Sequence, residues 1–100
     1  MSMVDVIEEE ARLIILRELH AQPNRSITST SMRKILLNEF LIDRPREWVE
    51  VQFTYLAALK AVRITSAGSV KIATLVERGI EHLALKTFLP SVLSPSEPVL

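Results

Sequence analysis

Apolar positions recur along the chain at two different periods, and the changes of period divide it into elements. Val4, Ile7, Ala11 and Ile14 follow one helical stripe, which predicts a first helix from about Val4 to Ala21. Leu13, Ile15, Leu16 and Leu19 carry the apolar surface well around that cylinder, so it should bury more than one face. One face is expected to pack on its own domain and the other on a second copy of the chain. Pro23 and Asn24 end the helix. Ser26-Ile27-Thr28 reads as a short strand. The polar run Ser29-Thr30-Ser31 offers an N-cap for a second helix over about Thr30–Phe40, with Met32, Ile35, Leu36 and Phe40 inward. Leu41-Ile42-Asp43 is a tight connection. Pro45 suits the first position of a third helix, where its missing N–H costs nothing, which leaves Asp43 or Arg44 as the cap.

The third helix should span about Pro45–Lys60. Trp48, Val49, Gln52, Phe53, Leu56 and Leu59 form its buried face, and Arg46, Glu47, Glu50, Val51 and Thr54 lie opposite. The period then drops to two. Val62, Ile64, Val70 and Ile72 alternate with polar residues around Ser66-Ala67-Gly68-Ser69, which is a hairpin pattern. A last helix is expected from about Thr74 to Phe88, with Thr74 and Glu77 at capping-box spacing and Gly79 as an interior cost. The result is a mainly α domain with a small β-hairpin, over residues 1–88. Three prolines and three serines in residues 89–100 predict a flexible or loosely docked tail.

One hundred residues with 48% apolar content fit one domain with a modest core. No apolar run approaches a membrane span, and no basic segment opens the chain as in a secretory leader. The absence of cysteine excludes disulfides, thiolate metal sites and cysteine nucleophiles. A cytoplasmic protein is expected. Net charge is zero, but residues 1–21 are acidic, whereas Arg44, Arg46, Lys60, Arg63 and Lys71 make the third helix and hairpin basic.

Two central helices with a three-residue connection meet the requirement of a helix-turn-helix, and the hairpin follows the second directly. From Phe53-Thr54-Tyr55-Leu56 through Ala61-Val62-Arg63 to Gly68 the chain resembles winged-helix regulators. More narrowly, Ala11-Arg12-Leu13-Ile14-Ile15-Leu16, Arg46-Glu47-Trp48-Val49 and Ala61-Val62-Arg63 with Gly68-Ser69-Val70 resemble the small, ArsR-like winged-helix proteins of Mu-like phages and prophages. The likeness covers roughly residues 5–86. It implies a transcriptional regulator that binds double-stranded DNA, often as a homodimer. The Val4–Ala21 helix would make the dimer contact, with the Thr74–Phe88 helix as a further contributor. Lys60 stands where such proteins usually carry Gly.

Within that frame Arg46, in the first turn of the third helix, would face guanine in the major groove; the other reading is a surface arginine paired with Glu50 at i+4. Glu50, like Glu47, could accept from a cytosine amino group or simply be solvated. Ser29, Thr30, Ser31 and Arg33 open the second helix and could hold a phosphate, or cap it. Arg44 belongs to the same basic group. Arg63, Ser66, Ser69 and Lys71 decorate the hairpin as backbone contacts or as its solvated surface. Trp48 has the phase of a core residue. His20 and His82 lack a ligand partner and read as surface or partly buried residues, and Glu8-Glu9-Glu10 reads as a solvated helix face. No spacing assembles a catalytic triad, a phosphate loop or a metal site, so neither enzyme activity nor a cofactor is expected. A protein-interaction module without DNA binding is the alternative.

Overall fold

Ser2 starts the first helix by reciprocal capping: its hydroxyl accepts the Asp5 N–H at 3.2 Å, and the Asp5 carboxylate accepts the Ser2 N–H at 3.4 Å. The computed structural model describes residues 2–96. The element order is α1 (Met3–Ala21), β1 (Ser26–Thr28), α2 (Ser29–Phe40), α3 (Arg46–Ala58), β2 (Val62–Ala67), β3 (Val70–Leu75) and α4 (Glu77–Leu83). Every expected element is present, and together they form a mainly helical domain with one three-stranded antiparallel sheet.

Helix α1 is central. Ala11 to Leu16 and Leu19 are all buried, enclosed by α2, α3, α4 and β3. The apolar surface expected to serve a second copy is thus consumed inside the domain. Only Met3, Val4 and Val6, at the first turns, remain as exposed large apolar residues of this helix. Glu18, half-buried on α1, holds its proton to higher pH than an ordinary glutamate, first because burial disfavours its charge and then because Glu39 repels it. A raised native pKa means the charged form costs stability above the ordinary carboxylate range. Glu18→Gln should therefore raise the melting temperature at neutral pH, and the gain should vanish as pH falls through that range.

The sheet order is β1-β3-β2, with Ile27 and Ile64 both paired to Ala73 and Val62 paired to Leu75. Gly68 makes the two-residue turn at φ +63, open to solvent on its Cβ side. The hairpin is longer than its alternating pattern suggests, and this moves the start of α4. Thr74 is a strand residue whose hydroxyl lies 2.7 Å from that of Ser26, so it does not cap α4; Val76 holds that place without a side-chain bond. The last helix is accordingly shorter than Thr74–Phe88. It ends where Leu85 turns left-handed (φ 61) and the Leu85 and Lys86 N–H groups bond back to His82 and Glu81. Gly79 has a packing reason: a Cβ there would lie 2.5 Å from the Ala61 carbonyl oxygen.

Two further caps differ from expectation. Thr28, not the Ser29-Thr30-Ser31 run, caps α2 by accepting the Ser31 N–H at 3.1 Å. Pro45 is itself the N-cap of α3, and its carbonyl accepts the first helical bonds from Trp48 and Val49. The end of α3 carries the sequence feature noted at Lys60. That residue sits at φ +65, while its N–H and that of Ala61 bond back to Ala57 and Leu56. Lys60→Gly should stabilise the fold by about 1 kcal/mol in urea titration, because glycine takes this conformation without a Cβ clash. A neutral or negative change would contradict that account.

The segment after Phe88 is docked over residues 89–96 rather than loose; residues 97–100 lie outside the described part. Leu89 and Val92 enter the core. Backbone carbonyls of this segment accept from Tyr55 (at Pro90), Arg12 (at Ser91) and Arg17 (at Pro95), and the Leu93 N–H donates to Glu9. His82, expected at or near the surface, is fully buried beneath it. Its Nδ1 accepts the Leu89 N–H at 3.2 Å, which assigns the ring proton to Nε2, 3.0 Å from the Leu93 carbonyl.

Candidate functional site

Helix α3 packs Val49, Gln52, Phe53 and Leu56 into the core. Helical geometry then turns Glu47, Val51, Thr54 and Ala58 outward as one stripe, and all four are exposed. Val51 is 58% exposed and forms the apolar centre of this stripe. Thr54 donates its hydroxyl to the Glu50 carbonyl one turn back at 3.0 Å, which leaves its methyl as the group offered to solvent. Trp48 is half-buried against the core, in keeping with its phase, and the Arg44 guanidinium lies 5.7 Å above its ring.

Glu50 does not join the outward stripe. Its carboxylate accepts the Ser29 hydroxyl at 2.7 Å and lies 3.5 Å from the Arg46 Nε, so it is turned toward α2. Ser29 is fully buried, and its oxygen also accepts the Lys71 N–H at 3.2 Å. One hydroxyl thus ties α2, α3 and β3 together. These two residues were candidates for direct contact with a ligand; their side chains instead satisfy each other inside the helix–helix–strand junction. Arg46 makes the i+4 pair with Glu50, and its Nε has no hydrogen-bond partner.

The other candidates spread over the surface. Thr30 is half-buried and Ser31 exposed at the start of α2. Arg33 lies 3.8 Å from Asp43, an exposed pair of small energetic value. Arg63, Ser66 and Ser69 are exposed on the hairpin, where the Lys71 ammonium donates to the Ser66 hydroxyl at 3.1 Å. The structure brings Glu50 and Lys71 to one groove of about 510 Å³ between α3 and β3, with Glu47, Val51, Thr54 and Tyr55 as the remaining lining. Val51 and Thr54 were legible as outward-facing by helical phase, but their lack of charge gave no signal of a site.

A second concavity lies between α1 and the docked segment, lined by Asp5, Glu8, Glu9, Arg12, Tyr55 and Ser91. Its floor is a buried polar knot that sequence reasoning missed. Arg12 Nε donates to Gln52 Oε1 at 2.8 Å, the Nη2 lies 3.8 Å from Glu8, and the guanidinium stacks 3.8 Å from the Tyr55 ring centroid. Gln52 donates in turn to Glu8 at 3.1 Å, so Glu8 is not merely part of a solvated acidic run. Every polar partner in the knot belongs to the fold, which marks it as structural. Among the described residues no cluster of acidic and histidine side chains could hold a metal ion, and no helix is long and apolar enough to cross a membrane. No family model matches the chain, and neither a curated protein nor a solved structure does.

Proposed function

We propose that this chain is a winged-helix DNA-binding protein, with α3 entering the major groove and the β2–β3 hairpin lying along the adjacent backbone. The order helix, strand, helix, helix, hairpin supports the reading, although the α2–α3 link, Leu41–Pro45, has five residues where the sequence pattern predicts three. The observation that carries it is the orientation of Glu50. Withdrawn onto Ser29 and Arg46, its carboxylate leaves Glu47 as the one acid of the outward α3 stripe, with Arg46 on α3 and Lys71 on the hairpin as the cations beside it. The resemblance to small winged-helix proteins of Mu-like phages agrees with a regulatory role.

The test is binding of the full chain to a fluorescent duplex over a salt series. Affinity should fall steeply with salt as counterions are released. Arg46→Ala and Lys71→Ala should each weaken binding several-fold and lower the salt slope by about 1, the signature of a lost phosphate contact. Unchanged binding in both variants, with melting temperatures confirming that they fold, would sink this surface.

A second reading rests on the apolar floor of the same groove. Val51 at 58% exposure suits a protein partner as well as a base edge. On that reading duplex affinity is absent at every salt concentration.

A further inference from the structure

We infer that the outward stripe of α3 selects a DNA site in which cytosine faces Glu47 and thymines face Val51 and Thr54. This rests on the DNA-binding reading above and adds to it the identity of the bases. Glu47, Val51 and Thr54 (positions i, i+4 and i+7) lie within the first nine of the thirteen residues of α3, toward the end of such a helix that reaches base edges. A major groove presents three kinds of group to it: acceptors, amino donors and the thymine methyl. Each of these three side chains matches one of the last two. Glu47 is exposed and takes part in no ion pair among the described residues, so its carboxylate is free to accept from the N4 amino group of cytosine. It also penalises guanine, whose O6 and N7 would face it with lone pairs. Val51 offers two methyls and nothing polar. Thr54 has spent its hydroxyl on the Glu50 carbonyl, so it too presents a methyl. Apolar groups at those places gain by burying a thymine 5-methyl and gain nothing from the amino group of cytosine.

The stripe carries no cation. Sequence choice is therefore separated in space from phosphate attraction, which falls to Arg46 and the hairpin. Arg46, engaged with Glu50, holds register rather than reading guanine.

The experiment selects duplexes from a randomised pool with the full chain and repeats the selection with Glu47→Gln and with Thr54→Ser. Serine keeps the hydroxyl bond to Glu50 and loses only the methyl, so the helix is undisturbed. The selected duplex is then remade with deoxyuridine at the thymines facing the stripe. Glu47→Gln should move the preferred base at its position from cytosine to adenine, which glutamine recognises with two bonds. Each missing thymine methyl should weaken binding about four-fold. Thr54→Ser should lose that sensitivity at its own position while Val51 keeps it at the next. Selected sequences that do not change with Glu47→Gln, or uracil duplexes bound as tightly as thymine ones, would overturn the assignment while leaving DNA binding intact. Enrichment of no duplex at any salt overturns the DNA reading and this one together.

Discussion

Arg12→Ala should cost about 3 kcal/mol of folding stability, because its buried guanidinium makes charge-assisted hydrogen bonds that truncation leaves unmatched. The residue is only 8% exposed, and its guanidinium serves four partners at once: Gln52, the Ser91 carbonyl, Glu8 and the Tyr55 ring. Truncation leaves the Ser91 carbonyl and the Gln52 oxygen without a donor and removes the cation beside Glu8. Arg12→Met separates these contributions, since it keeps an unbranched stem beside Tyr55 while losing the charge. Most of the loss should persist in Arg12→Met. Adding Glu8→Gln should recover part of it by removing the uncompensated carboxylate, and a double-mutant cycle in urea measures that coupling. A single-variant loss under about 1 kcal/mol would show that the knot is solvated, contrary to its burial.

Gly79→Ala should cost about 3 kcal/mol, the upper part of the range for overpacking a core. The added methyl meets the Ala61 carbonyl oxygen at 2.5 Å and the Leu75 Cδ1 at 2.6 Å. The side chain can rotate away; the carbonyl cannot, because it also accepts the Val76 N–H that opens α4. Leu75→Ala in the Gly79→Ala background should therefore relieve little of the strain. Alanine ordinarily stabilises a helix interior relative to glycine by about 1 kcal/mol. A stabilised Gly79→Ala protein would mean that α4 sits farther from Ala61.

The elements with sustained periodicity were legible from the residues: α1, α2, α3 and the hairpin each announce their inward face. Their ends were less so. Leu41, Lys60 and Leu85 all take left-handed conformations without glycine, so the strongest stop signal is missing at each, and only the last was misplaced by several residues. Thr74 had the spacing of a cap but a better partner across the sheet in Ser26. At the candidate site, helical phase gave the outward side chains, yet not that Glu50 would turn back onto Ser29. Both residues are polar and both looked accessible; only the α2–α3 crossing decides that they meet. The docking of residues 89–96 was hidden for another reason. It relies on the backbone carbonyls of Pro90, Ser91, Leu93 and Pro95, and a carbonyl has no signature in the residue type that carries it.

That docked segment also orders events during synthesis. Arg12 emerges from the ribosome early, but its partner at Ser91 follows 79 residues later, and Arg17 waits 78 residues for Pro95. Contacts so distant along the chain close late and slowly. Until then α1, the most buried helix of the domain, has Arg12 and the edge of its apolar surface uncovered. A nascent chain arrested before Leu89 should thus be more open to proteolysis along α1 than the released protein, even with α2, α3 and the hairpin already made.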